Sequence, residues 1–133
     1  MSVLVAPQQA VEVIAESALD SSQRMFSIGC FADRVTVYSQ QHRALNLIWA
    51  LTTTNHITPA ATVAVIGAGF AGLAAAAALV GTGATVHLIE RSSEVLPLQR
   101  GCACRYLHPN MYDWPSLESL DDWTRLPFMN WHV

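Results

Sequence analysis

Residues 62–91 read TVAVIGAGFAGLAAAAALVGTGATVHLIER, and this segment contains four consecutive local patterns. Residues 62–66 are apolar without polar alternation, which is typical of a buried strand in a parallel sheet that helices cover on both faces. A glycine-rich turn at 67–72 leads into an alanine-rich helix at 73–80, which Gly81 and Gly83 are expected to end. A second strand is predicted over residues 84–89. Strand, turn, helix and strand in this order predict a βαβ unit.

The turn between the first strand and the helix has the pattern GxGxxG, whose three glycines have separate physical roles. Gly67 permits a tight turn, Gly69 lets the backbone approach a pyrophosphate, and Gly72 lets the helix pack closely on the strand. The helix N-terminus presents unpaired N–H groups and the positive end of the helix dipole to the phosphates. The candidate phosphate-binding residues are Gly67, Ala68, Gly69, Phe70, Ala71 and Gly72.

An acidic residue, Glu90, follows the second strand about 20 residues after the glycine turn, which is the spacing expected of a dinucleotide site. Its carboxylate can accept hydrogen bonds from the ribose hydroxyls of an adenosine, and it would repel a 2′-phosphate, which disfavours NADP. The alternative is an ordinary glycine turn with an exposed glutamate. The agreement of strand, helix, second strand and acid in one register favours the nucleotide site.

The segment VAVIGAGFAGLAAAAALVGTGATVHLIER, residues 63–91, resembles the N-terminal ADP-binding segment of FAD-dependent oxidoreductases of the glutathione-reductase and amine-oxidase type. The resemblance implies that the glycine turn and the acid hold the AMP half of FAD. The contacts that it implies are Gly67, Gly69, Gly72 and Glu90, with Arg91 as a neighbour of the adenosine. Residues 36–47 and 105–115 are similar to segments of bacterial FAD/NAD(P)-binding proteins. Residues 91–105 lack the Gly-Gly-Arg turn of the amine-oxidase pattern, and no catalytic residue is assigned.

Outside this segment the sequence predicts helices over residues 8–19 and 40–51 and a strand over residues 34–38. A right-handed crossover through the second helix would place that strand beside residues 62–66 as a third parallel strand. Residues 1–60 form an N-terminal extension in this interpretation, residues 61–97 the βαβ unit, and residues 98–133 an irregular tail. The predicted class is α/β, with a partial Rossmann-like, FAD/NAD(P)-binding fold of three layers. The chain is expected to be the N-terminal piece of a longer flavoprotein or a truncated gene product.

The composition excludes several classes of protein. Of the 133 residues 52% are hydrophobic and 13% charged, which fits one compact domain and not a disordered chain. The net charge is −3 and the seven basic residues, all arginine, are dispersed, so no nucleic-acid partner is expected. An odd number of cysteines and an N-terminus without a basic region favour a cytoplasmic location. Residues 63–80 are long enough to span a membrane, but alanine and glycine insert weakly, and no membrane association is expected.

Four other residues have both a structural and a chemical interpretation. Cys102, Cys104 and His108 offer three metal ligands, but their spacing fits no common zinc site, so loop residues and no metal are predicted. His87, on the second strand, is interpreted as structural in preference to catalytic.

The predicted function is FAD binding within an oxidoreductase of unknown substrate. The alternatives are a NAD-binding module and a non-catalytic truncated remnant or membrane-associated interaction segment.

Overall fold

The computed structural model describes residues 7–22, 24–29, 37–98 and 100. They form three helices and two strands: α1 (Pro7–Ser17), α2 (Val37–Thr53), β1 (Thr62–Ile66), α3 (Phe70–Gly81) and β2 (Thr85–Ile89). The strands pair in parallel, from Thr62 opposite Thr85 to Ile66 opposite Ile89. Since α3 connects them, the structure confirms the βαβ unit and the mixed α/β, partial Rossmann-like fold that the sequence predicts.

Helix α3 packs against both strands on one side and against α2 on the other. Alanine side chains at positions 74, 75 and 78 are buried, and their small size lets both neighbours approach the helix backbone closely. Leu79, which is 1% exposed, fills the space between α3 and these neighbouring elements. The helix ends at Thr82, whose hydroxyl donates to the Leu79 carbonyl at 2.7 Å, and Gly83 continues with a left-handed φ of 85°. The predicted glycine stop is therefore confirmed at Gly83.

Helix α2 in turn packs against α1, and we call α1, α2 and the face of α3 that α2 covers the helical layer. Side chains repeating at helical spacing on α1 and α2 are buried in it: Ala10, Ile14, Ala44, Leu47, Ile48 and Leu51. The first helix ends at Ser17, two positions before the predicted end, because the chain reverses there. The Leu19 amide donates to the Met25 carbonyl, and the Ser27 amide donates to the Ser17 carbonyl, both at 2.8 Å.

The predicted strand over residues 34–38 is wrong where the structure describes it. Val37 and Tyr38 lie in the first turn of α2, and residues 34–36 lie outside the described residues. The β-branched Val37 and the aromatic Tyr38 are residue types that favour a strand locally, but the apolar stripe of α2 extends the helix over both positions. The proposed pairing with β1 is therefore not formed by Val37 or Tyr38.

The two faces of the sheet differ in their cover. Val65 is buried on the side of α3, whereas Ile66 on the opposite face is 83% exposed. Ala64 and its pairing partner His87 are also exposed on that open face. Among the described residues, helices therefore cover one face of β1, and the expectation that helices cover both faces is not met there.

The long apolar run of residues 63–80 is divided between two short elements. It contains most of β1, the glycine turn and most of α3, and α3 has only 12 residues. In the part of the chain that the structure describes, no helix has the length and apolarity to cross a membrane. The predicted tail beyond residue 100, with Cys102, Cys104 and His108, lies outside the described residues.

Candidate nucleotide-binding site

The glycine turn, residues 67–72, begins where β1 ends. The Gly67 amide donates to the Ile89 carbonyl at 2.8 Å, so pairing with β2 continues one residue past the strand. The chain then turns at Gly67 with a φ of 98°, in the left-handed region that L side chains rarely adopt. Beyond the two chain neighbours of Gly67, no atom of the part of the chain that the structure describes lies within 4 Å of the position of a Cβ on this residue. Gly67 is therefore required by its backbone conformation, as the sequence analysis predicts for a tight turn.

Gly72, in the first turn of α3, is required for a different reason. A Cβ at this position would lie 1.9 Å from the Gly67 carbonyl oxygen and 3.0 Å from the Gly67 carbonyl carbon. Both atoms belong to the backbone and cannot rotate away. Only a hydrogen atom fits between the helix and the turn, which confirms the close packing predicted for Gly72.

Gly69 differs from both of these glycines. It is the N-cap residue of α3, with φ −80° and ψ −174°, an extended conformation open to every residue. Apart from its chain neighbours, no described residue has an atom within 4 Å of its Cβ position, and Gly69 is exposed. Neither backbone strain nor packing among the described residues therefore explains a glycine here.

The N-terminus of α3 next to Gly69 has no internal cap. No side chain accepts a hydrogen bond from it, and the first helical bond runs from the Leu73 amide to the Gly69 carbonyl at 2.9 Å. The amides of Phe70, Ala71 and Gly72 consequently have no acceptor within the described part of the chain. Three N–H groups and the positive end of the helix dipole point toward the space beside Gly69, which suits an anion.

Glu90 stands next to the turn, at the carboxyl end of β2. Its Oε2 accepts a hydrogen bond from the Ala68 amide at 2.6 Å, and its Oε1 accepts one from the Ser92 amide at 2.8 Å. The bond from Ala68, followed by that from Ser92, stabilises the carboxylate and lowers the pKa of Glu90 below its ordinary value. The structure thus places a charged acceptor beside the turn.

The remaining predicted residues occupy different positions around the turn. Phe70 and Ala71 are half-buried in the first turn of α3, and Arg91 is exposed next to Glu90. Ala68 is fully buried, and both of its backbone polar groups are engaged within the protein. His87 projects from the open face of the sheet in the middle of β2. Within the described ranges, no group of three His, Cys, Asp or Glu side chains is placed to hold a metal ion.

One residue at the turn is not predicted from the sequence. The Leu96 amide donates to the Ala68 carbonyl at 2.9 Å, and Leu96 has a φ of 51°. A leucine before Pro97 is expected to be extended, so no sequence signal marks this contact. The loop after β2 therefore returns to the glycine turn, which only the structure shows.

A groove of about 920 Å³ leads away from the turn along β1 to the segment 24–29. Gly67, Gly69 and Gly72 line one end of it. Apolar side chains line much of the remainder, among them Phe26, Ile28, Leu47, Leu51, Ile57 and Val63. The glycine turn is therefore reached from an open, largely apolar groove.

Comparison with protein families supplies one match. The sequence profile of the pyridine nucleotide-disulphide oxidoreductase family matches residues 62–111, beginning at the first residue of β1. In proteins of that family the matched region binds FAD or NAD(P). It includes the glycine turn, Glu90 and the loop that carries Leu96. Comparisons with curated proteins and with solved structures gave no significant match.

Proposed function

We propose that the chain binds FAD through the ADP half of the cofactor, as the FAD-binding portion of a flavin-dependent oxidoreductase. The observation that carries the proposal is the open space at Gly69, where no contact or strain in the described residues calls for a glycine. A pyrophosphate lying against the backbone needs that space, because a side chain would occupy it.

The phosphates would be held by the backbone and not by basic side chains. The amides of Phe70, Ala71 and Gly72 have no acceptor in the described residues and adjoin the space at Gly69. Hydrogen bonds from these amides, with the helix dipole, neutralise part of the phosphate charge. This mode of binding is consistent with a chain that has no lysine.

Glu90 would accept hydrogen bonds from the adenosine ribose. Each of its carboxylate oxygens accepts one backbone N–H and retains capacity for a ribose hydroxyl. The same negative charge would repel the 2′-phosphate of NADP. Arg91, exposed beside it, would contact the adenosine.

FAD is preferred to NAD because the resemblance of residues 63–91 is to FAD-dependent enzymes. When bound, FAD supplies the electron transfer, and the residues described here bind and orient its ADP half. No proton-transfer step is assigned to the side chains in the described ranges. The substrate of the oxidoreductase stays open.

The proposal is tested by titrating the purified chain with FAD, ADP, NADH and NADPH, using calorimetry and the flavin absorbance spectrum. We expect FAD and ADP to bind, and NADPH to bind more weakly than NADH. Binding of NADH without FAD would replace the proposal by a NAD-binding module. Binding of none of the four would indicate a non-catalytic remnant.

Substitutions at Gly69 locate the site. Gly69→Val should abolish ADP binding and Gly69→Ala should weaken it, because each added carbon fills the space that the pyrophosphate needs. Both should lower the melting temperature only slightly, since the backbone of Gly69 is in an ordinary conformation and the loss is the N-cap preference for glycine over alanine and valine, about 1 kcal/mol. Ala77→Val, on the exposed side of α3, is the matched control and should bind ADP normally. Unchanged binding in Gly69→Val would contradict the site.

A further inference from the structure

Ala68, inside the glycine turn, is held from both sides by the loop that follows β2. Its amide donates to Glu90 Oε2 at 2.6 Å, and its carbonyl accepts from the Leu96 amide at 2.9 Å. Ala68 itself is fully buried. Each of these hydrogen bonds fixes one of the two peptide groups that flank Ala68.

The bond from Leu96 has a direct consequence for Gly69. The Ala68 carbonyl and the Gly69 amide belong to one planar peptide group, in which the C=O and the N–H point in opposite directions. An amide bound to the Ala68 oxygen on one side therefore sets the direction of the Gly69 N–H on the other. This N–H has no acceptor among the described residues and adjoins the space left by the missing side chain.

The backbone of Leu96 is left-handed, with a φ of 51°. A leucine rarely adopts this conformation, so neighbouring contacts must maintain it. The Arg100 amide donates to the Leu96 carbonyl at 3.1 Å, and the Arg100 guanidinium pairs with Glu94 at 2.8 Å. These two contacts of Arg100 hold the chain on either side of Leu96.

We propose that Leu96 is a positioning residue for the nucleotide site, acting through its backbone. It aims the Gly69 amide into the pyrophosphate space before the nucleotide arrives, so that binding does not have to order the turn. This role rests on the proposed function, because it has meaning only if the turn binds a nucleotide.

The test separates the backbone of Leu96 from its side chain. Leu96→Ile keeps the atoms of the side chain but moves the branch to Cβ, which strongly disfavours a left-handed backbone. Leu96→Asn and Leu96→Gly lose the apolar side chain but tolerate that backbone. If Leu96 acts through its backbone, Leu96→Ile should bind ADP more weakly, whereas Leu96→Asn and Leu96→Gly should bind it normally.

Two measurements on these variants are required. In hydrogen exchange of the ligand-free protein, the amide at position 96, which donates to the Ala68 carbonyl, should lose protection in Leu96→Ile and keep it in Leu96→Asn and Leu96→Gly. In calorimetry with ADP, Leu96→Ile should raise the Kd by about three- to tenfold, because the nucleotide then has to order the turn as it binds. The other two variants should stay within about twofold of the unsubstituted chain.

Three outcomes would overturn the positioning role: normal ADP affinity in Leu96→Ile despite lost protection, normal protection at position 96 in that variant, or equal weakening in Leu96→Asn. If Leu96→Ile does not fold, Leu96→Ala applies the same criteria against Leu96→Gly, because alanine disfavours the left-handed backbone that glycine tolerates. If the unsubstituted chain binds neither ADP nor FAD, the proposed function itself fails, a result distinct from the other three.

Discussion

In the helical layer, apolar side chains fill the space between backbones, whereas in the glycine turn backbone meets backbone directly. The layer buries Ile14, Leu47 and Leu79 almost completely. In the turn, the carbonyl of Gly67 occupies the place where Gly72 would carry a side chain. Substitutions in the layer should therefore change stability alone, while those in the turn should act on the nucleotide site as well.

The largest effect on stability is expected in the helical layer. Leu79→Ala should lower the free energy of unfolding by about 2–5 kcal/mol, because Leu79 is 1% exposed and leaves a cavity between α3 and its neighbours. Denaturant unfolding measures this, and ADP titration of the folded protein should give the original Kd. Val80→Ala, at an adjacent position that is 63% exposed, is the control and should lower stability by less than about 0.5 kcal/mol. Equal losses in both variants would refute the packing of α3.

A smaller loss of stability, together with weaker ADP binding, is expected at Gly72, where the helical layer meets the glycine turn. Gly72→Ala should lower the free energy of unfolding by about 1–3 kcal/mol, because its Cβ overlaps the Gly67 carbonyl. It should also weaken ADP binding, since α3 must move away from the turn. Gly81→Ala adds the same methyl group at the exposed end of α3 and should leave stability unchanged or higher. The interpretation fails if Gly72→Ala unfolds no more readily than Gly81→Ala.

At Gly67, within the glycine turn, the loss of stability on substitution is expected to come from backbone strain and not from the overlap of atoms. Gly67→Ala meets no atom within 4 Å, so its only penalty is the left-handed backbone, about 1–2 kcal/mol. Gly83→Ala, at the other end of α3, has a similar φ of 85° and lies away from the site. Both variants should lose similar stability in thermal unfolding, but only Gly67→Ala should bind ADP more weakly. Equal ADP affinities would show that the conformation of Gly67 does not matter to the site.

The same contrast explains how much of the molecule can be predicted from the sequence. The βαβ unit is predicted to within three residues at each boundary, because the glycines at 67 and 83 mark turns through their own backbone requirements. The strand predicted at Val37 and Tyr38 is wrong, because tertiary packing of α2 overrides local β propensity.

In the candidate site, Glu90 is predicted from its spacing, but its hydrogen bond to Ala68 is not. The contact of Leu96 is not predicted either, since a left-handed leucine before a proline contradicts the local preference. Long-range backbone contacts leave no periodic signal in a sequence. The glycine pattern therefore identifies the turn, while the residues that hold the turn in place emerge only from the fold.

The smallest effect on stability is expected at Glu90, whose carboxylate accepts hydrogen bonds from two backbone amides. Hydrogen bonds from Ala68 and Ser92 lower the pKa of Glu90 in the folded protein, so its ionised form contributes to stability. This contribution is complete above the ordinary glutamate pKa and is lost as the pH falls through the lowered pKa of the folded state. Glu90→Gln should therefore be less stable than the original chain at neutral pH, with a difference that shrinks in acid.

Thermal unfolding across this pH range measures the difference between the two proteins. The pKa of Asp20 is also lowered, through its hydrogen bond with Ser22 and those from the Met25 and Arg24 amides, but Asp20 titrates in both proteins and cancels. Glu16→Gln removes the same charge from the exposed surface of α1 and is the control. A pH-independent difference for Glu90→Gln, or an equal pH dependence for Glu16→Gln, would mean that the carboxylate of Glu90 does not hold the turn through its charge.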